Sequence, residues 1–254
     1  MIRRPPRSTQ GVSSAASDVY KRQEYLQIMR SVWTTDKPFT FKGEYYSVRH
    51  ASSEISSIQK PHVPIYFGGA SDAAVAVGAE HADVYALFGE PLASVKTMMD
   101  RISLEAAQHR RSIRFNVSLR PILAETENAA WDKARGILER LQENKPRMPL
   151  KVEAEFSRRL TRLAEAEEVY DECLWMGLVK ISGATGNTTA LVGTPEQVAK
   201  SIVRYYELGV GGVLIRGFDP LEDVREFGRE LIPRIRALVA EREIPPKECK
   251  SGGT

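Results

Sequence analysis

The stretch VPIYFGGASDAAVAVGAEHA, residues 63–82, passes directly from a strand pattern into a helix pattern. Val63 to Phe67 is an apolar run of strand length, and Gly68-Gly69 ends it. Ser71 then stands where a helix N-cap belongs, ahead of an alanine-rich run of high helix propensity. A buried strand leading into a helix, if repeated, is the pattern of a parallel sheet covered by helices.

It is repeated. Downstream, DVYALFGE (83–90) reads as a strand and PLASVKTMMDRISLEAAQH (91–109) as a helix with Pro91 near its start. IRFNVSLRPILAE (113–125) reads as a long strand interrupted by Pro121, and Thr126 caps the helix ENAAWDKARGILERLQ (127–142). Thr194-Pro195-Glu196-Gln197 has the form of a capping box that opens a helix to Leu208, with Gly209 as its terminator. GVLIR (212–216) is a strand and 221–240 a helix. Upstream, residues 24–34 end an amphipathic helix, and Phe39 to Val48 alternate around Gly43 as a short hairpin.

Residues 143–186 break the rhythm. KPRMP (145–149) reads as a linker, 151–176 as a helix-like, charge-laced insertion, and SGATGN (182–187) as a Gly-rich loop. Arg158, Arg159 and Arg162, followed by Glu165, Glu167 and Glu168, have the pattern of a solvated helix face.

The first 23 residues carry no apolar periodicity and no apolar run of a secretory signal, so the sequence assigns them to a disordered or non-native leader. They hold a net charge of +4 against +3 for all 254 residues, so residues 24–254 sum to −1. That balance offers no electrostatic footprint for nucleic acid or an anionic membrane. The most apolar stretch, Val63 to Ala79, is broken by Gly68, Gly69 and Asp72, short of a membrane span. Two cysteines, Cys173 and Cys249, form no CxxC, and the four histidines have no metal-binding spacing, which fits a metal-free protein of the reducing cytoplasm. The expected organisation is leader 1–23, α/β domain 24–240 with the 143–186 insertion, and flexible tail 241–254.

In parallel α/β folds, ligands bind at the carboxyl ends of strands. Four segments qualify: Gly68 to Asp72, Phe88 to Glu90, Ser118 to Arg120, and Arg216 to Asp219. Gly68, Gly69, Ala70 and Ser71 form a turn at a helix N-terminus, where a phosphate is favoured. The same residues describe a plain strand-to-helix turn with a serine cap, the reading that residues alone favour, because such caps far outnumber phosphate sites. Arg120, Lys180 and Arg216 are candidate cations for an anionic substrate, or ordinary surface charges. Arg216 stands out because it ends a buried-looking strand just before a glycine.

PIYFGGASDAA, HADVYALFGEP, TALVGTPEQVA and GVLIRGFDPLED, in this order and spacing, resemble the C-terminal half of the bacterial-luciferase-like flavin-dependent oxidoreductases. The likeness covers 24–240 and is nearest to the alkanesulfonate monooxygenase branch. Residues 1–23 resemble a translated sequencing adapter. The resemblance implies half of a (β/α)8 TIM barrel, strands 5 to 8, with an insertion after strand 7 acting as a lid. It implies reduced FMN delivered by a separate NAD(P)H:FMN reductase, with O2 as co-substrate, a small polar or anionic substrate, and a homo-oligomeric parent. Ser71 with Gly68, Gly69 and Ala70 matches the family's FMN-phosphate position. Lys180 stands near the position of a family loop arginine. The chain departs from the sulfonatase pattern at Ser118 and Arg120, where those enzymes carry Arg-x-His, and at Phe218, where they carry Tyr. The implied activity is therefore monooxygenation, with a sulfonate one candidate substrate. Alternatives are a coenzyme F420-dependent oxidoreductase of the same fold, and an inactive truncated chain whose open sheet edges make it poorly soluble.

Overall fold

The structure, a computed structural model, describes residues 14–143, 154–184 and 189–243. In chain order the elements are α1 (Ser14–Thr34), β1 (Phe39–Lys42), β2 (Ser47–Ala51), β3 (Tyr66–Phe67), α2 (Asp72–His81), β4 (Val84–Phe88), α3 (Leu92–Gln108) and β5 (Arg114–Leu123). They continue with α4 (Glu127–Glu143), α5 (Glu155–Ala166), β6 (Val169–Tyr170), β7 (Leu174–Trp175), α6 (Gly177–Ser182), β8 (Ala190–Gly193), α7 (Pro195–Glu207) and β9 (Gly212–Ile215). Last come α8 (Pro220–Glu226) and α9 (Ile232–Glu243), joined by a π-helical turn at Phe227–Leu231. No helix among the described residues is long and apolar enough to cross a membrane. The chain divides into two compact units: Met1–Ala86 with Thr97–Phe115, and Leu87–Lys96 with Asn116–Thr254.

In the first unit, β1 and β2 pair antiparallel as the expected hairpin, with Phe41 opposite Val48. The Glu24 carboxylate accepts hydrogen bonds from the backbone N–H groups of Glu44, Tyr45 and Tyr46 at 2.6, 2.9 and 2.8 Å. Gly43 leaves room for this carboxylate, since a Cβ there would lie 2.3 Å from it and would displace the Glu24 side chain. The helix expected from residue 24 begins at Ser14, inside the stretch assigned to the leader. Two side chains of that stretch contact the rest of the unit: the Lys21 ammonium lies 5.7 Å from the Tyr45 ring centroid, and Gln23 donates to Glu80 at 2.9 Å. Residues 1–13 of the leader lie outside the described residues.

Strands β3 and β4 pair in parallel, Tyr66 with Val84 and Phe67 with Tyr85. Only two residues of the 63–69 run are strand. Helix α2 follows as expected, with the Ser71 hydroxyl accepting from Ala74 N–H at 3.2 Å. Fully buried Tyr85 packs edge-on against Phe67 with centroids 6.0 Å apart, and both rings occupy the space beside Gly78. The carbonyls at the end of α2 are met by two arginines. Arg30 donates to His81 O, and Arg111 to Glu80 O and, at 2.8 Å, to Ala82 O. These are the orphan acceptors that a helix C-terminus leaves.

In the second unit, β5 serves two parallel ladders. Asn116 to Leu119 pair with Gly212 to Ile215, and Arg120 to Leu123 pair with Ala190 to Gly193. The strand is continuous through Pro121, contrary to the expected interruption. Pro removes one ladder donor, and Pro121 falls just past the changeover between ladders, where that loss is tolerated. β7 runs antiparallel to β8, and β6 antiparallel to β7. Within the segment expected as one helix-like insertion over 151–176, the described residues 154–176 are one helix followed by a hairpin. Its turn places Asp171 and Glu172 at φ 49° and 72°, and Trp175 then enters a core with Ile122, Ile137, Leu178 and Val192.

The capping box of α7 is present as expected: Gln197 N–H donates to the Thr194 hydroxyl at 3.3 Å, and Thr194 N–H to the Gln197 side chain at 2.9 Å. Gly183 ends α6 in the left-handed conformation. The linker 145–149, residues 185–187 of the Gly-rich loop and the tail from 244 lie outside the described residues.

Candidate functional site

The β3–α2 turn lies in the first unit. Gly68 and Ser71 are exposed, and Gly69 and Ala70 half-buried. A Cβ on Gly69 would lie 2.5 Å from Ala74 Cβ, and one on Gly68 would lie 3.2 Å from Ala86 O. Both glycines therefore have a packing role in bringing the turn close to α2 and β4. The turn leaves Ser71 at the surface on the first turn of a ten-residue helix, a position that favours an anion. Asp72 beside it is ion-paired with Arg101. A cavity of about 560 Å³ in the same unit, lined by Val32, Trp33, Ile55, Ile58 and Val63 among others, includes none of these four residues.

The second unit holds the three candidate cations and brings two of them together. Asn116, Ser118 and Arg120 share one face of β5, while Val117 and Leu119 are fully buried on the other. Arg120 is half-buried. Its Nη1 donates to Gly217 O at 3.0 Å, and its guanidinium lies 5.0 Å from the Phe218 ring centroid. Burial first, and the neighbouring Arg216 charge second, hold the Arg120 guanidinium below its ordinary pKa. Arg216 follows β9, exposed, with its N–H donating to Leu119 O at 3.1 Å. Lys180 is exposed on the last turn of α6, and no described contact joins it to Arg120 or Arg216.

The loop carrying Phe218 is held by Asp223. That carboxylate, 9% exposed, accepts from Phe218 N–H at 2.6 Å and Asp219 N–H at 2.9 Å, with Lys133 at 3.8 Å. Gly217 makes room for it, since a Cβ there would lie 2.4 Å from Asp223 Cβ.

Two further charged residues meet at the end of β4. Glu90 is buried, and Arg159 donates to its carboxylate at 2.5 Å. Burial raises the Glu90 pKa, with Arg159 opposing. Of the arginines expected on a solvated face, Arg158 and Arg162 do face outward, toward Glu155, but Arg159 turns inward. The sequence signal for Glu90 was a carboxylate directly after a buried strand. Arg159 had none, since its neighbours at 158 and 162 carry the same charge.

Residues 7–212 match the luciferase-like monooxygenase family. The chain belongs to this family. Among solved structures it is similar to the riboflavin lyase RcaE, solved with modified FMN and riboflavin, at 18% identity and a TM-score of 0.71, covering 90% of this chain and 59% of that one. It is similar to the EDTA monooxygenase EmoA from Chelativorans sp. BNC1 at 13% identity and 0.67, covering 90% and 61%. It is also similar to an F420-dependent secondary alcohol dehydrogenase, solved with an F420–acetone adduct, at 18% identity and 0.60, covering 90% and 65%. The chain thus spans about three fifths of the length of the structures it matches. At these identities the likeness is one of fold: an α/β luciferase-like fold shared by flavin-dependent monooxygenases and F420-dependent oxidoreductases.

Proposed function

We propose that this luciferase-like chain carries part of an FMN-dependent monooxygenase acting on a small polar or anionic organic substrate, a sulfonate among the candidates. In this reading β3, β4, β5 and β9 correspond to strands 5 to 8 of a (β/α)8 barrel, and a separate NAD(P)H:FMN reductase supplies the reduced cofactor. The observation that carries the substrate class is Arg120, a half-buried guanidinium flanked by the Phe218 ring and by Arg216. Partial burial strengthens a cation's attraction for an anion relative to open water.

The FMN phosphate would sit at the β3–α2 turn, where the fit rests on the exposed Ser71 hydroxyl and the open Gly68 backbone at a helix N-terminus. Bound reduced FMN would supply two electrons and activate O2, one oxygen atom entering the substrate and the other leaving as water. This chain's own residues would bind and orient. Ser71 and the Gly68–Ala70 backbone hold the phosphate, Arg120 and Arg216 hold the substrate anion, and Phe218 covers the guanidinium face and excludes water from it.

Two substitutions at Ser71 separate phosphate binding from helix capping. Asp caps as well as Ser, so S71D keeps the helix but sets a negative charge against a phosphate, whereas S71A loses the cap. S71D is expected to weaken FMN affinity about tenfold or more at unchanged thermal stability, in fluorescence titration, with R216A leaving FMN affinity intact. FMN affinity unchanged in both S71A and S71D would remove the phosphate assignment. A second reading is hydride transfer with F420, favoured by the F420-dependent dehydrogenase of the same fold. Parallel titrations with FMN and F420 decide between them by which one binds.

A further inference from the structure

The 154–184 segment meets the β4–α3 connection through three alternate residues: Phe88 at the end of β4, Glu90 in the turn and Leu92 at the start of α3. Phe88 stacks on Phe156, with centroids 4.4 Å apart and planes 13° from parallel. Glu90 takes the Arg159 bond. Leu92 N–H donates to the Asp171 carboxylate at 2.7 Å, satisfying a free donor at the start of α3. From the other side, Tyr205 of α7 donates its hydroxyl to Glu90 O at 2.8 Å.

The same turn touches the strand beside Arg120. Gly89, between Phe88 and Glu90, has no room for a side chain: a Cβ would lie 2.3 Å from Leu119 Cδ2, 2.8 Å from Thr189 Oγ1 and 3.0 Å from Ser118 O. Thr189 is fully buried and precedes Ala190, which stands opposite Arg120 in the β5–β8 ladder and opposite Trp175 in the β7–β8 ladder. A chain of neighbours thus runs from Arg159 through Glu90 to the adjoining Gly89, whose N–H donates to Ser118 O at 2.9 Å, and so to the strand that carries Arg120.

A buried ion pair is weak evidence for stability, since apolar residues of similar volume hold a fold equally well or better. What the pair adds over apolar packing is direction. Arg159 can satisfy the Glu90 carboxylate only from a defined side, which fixes where α5 stands.

We propose that Glu90 and Arg159 are positioning residues that set anion affinity and selectivity at Arg120 by fixing the 154–184 segment against the end of β4. The proposal rests on the reading of Arg120 as the substrate-anion site. Neither residue touches the substrate in this scheme.

The test uses the full chain with 1-butanesulfonate and butanoate as probes, alongside amide hydrogen exchange. E90L/R159M replaces the pair by apolar residues and E90Q keeps the shape of the carboxyl group. R159K keeps the charge. In E90L/R159M, exchange across 155–182 is expected to quicken about tenfold while 195–207 is unchanged, at a melting temperature no lower than wild type. Affinity for the better-bound probe is expected to fall about tenfold, and the preference between the two anions to narrow. R159K should return most of both effects and E90Q should show them in part, which a purely scaffolding role would not require. Unchanged exchange in 155–182 overturns the fastening. Faster exchange with unchanged probe affinity and preference overturns the link to Arg120. If the double variant fails to fold, E90Q and R159K decide by the same readings. A wild-type chain that binds neither probe, yet shows the exchange differences, would defeat the reading of Arg120 and with it the selectivity claim, while leaving the fastening in place.

Discussion

The Arg120 guanidinium lies over the Phe218 ring at 5.0 Å and donates to the carbonyl of the residue before it, Gly217, at 3.0 Å. One side chain from β5 is therefore held by both the backbone and the ring of the loop that follows β9. The ring packs against the guanidinium and shields one of its faces.

Replacing Phe218 by Leu removes the ring while keeping an apolar side chain. A cation–π contact at a partly exposed site is worth about 0.5–1 kcal/mol, so F218L should weaken anion affinity roughly two- to fivefold. Calorimetric titration with 1-butanesulfonate measures this, and FMN affinity should not move.

Asp223 determines whether that loop keeps its shape. Removing its carboxylate leaves the N–H groups of Phe218 and Asp219 without their acceptor. D223A is expected to cost about 2–3 kcal/mol in denaturant unfolding, at the upper end for bonds to a charged acceptor. D223N keeps one acceptor oxygen and should cost less. Equal losses in the two variants would mean that the carboxylate acts through its charge, which faces Lys133, and not through the oxygen that accepts from the loop.

Gly89 predicts an overpacking defect. Its missing side chain is replaced by Leu119, Thr189 and the Ser118 carbonyl, and the last of these is backbone that cannot rotate away. G89A should destabilise the protein by about 1–3 kcal/mol, read from the shift in denaturant midpoint.

His81 makes stability depend on pH. It is buried at the end of α2, with Arg30 Nη1 3.3 Å from Nδ1 and Glu80 3.6 Å from Nε2. Burial first, then the charges of Arg30, Arg111 and His109 against the opposing Glu80, hold its pKa below the ordinary 6.5. The unfolded chain takes up a proton near 6.5 while the folded chain still resists it. Stability from neutral His81 is therefore fully present above pH 6.5 and declines as pH falls through that value toward the lowered folded pKa. Denaturant midpoints between pH 8 and 5 should drop more steeply in wild type than in H81Q. Parallel slopes would show that His81 is not the group responsible.

Local signals were readable where one chain segment decides its own conformation. The Ser71 cap, the Thr194–Gln197 capping box and the hairpin around Gly43 each involve side chains within a few residues of the backbone they satisfy. Features set by distant partners were not. The hairpin of β6 and β7 has strands of two residues each, too short for a period-2 pattern, and follows a charged helix whose composition dominates the window. Pro121 read as a break because its sequence neighbourhood cannot show that the strand changes partner there. Arg159 read as solvated because only the arrival of Glu90, sixty-nine positions away, turns it inward. Of the candidate cations, Arg216 was legible as a strand-end residue. Arg120, expected at a strand end because Pro121 read as a break, lies within β5, and its nearness to Arg216 required the β5–β9 register.

The changeover within β5 divides one strand between two neighbours. Residues 116–119 depend on 212–215, and residues 120–123 on 190–193, so the two halves answer to different partners. Substitutions in β8 and in β9 therefore reach different halves of the strand, and the backbone under Arg120 is tuned separately from the one that seats Arg216.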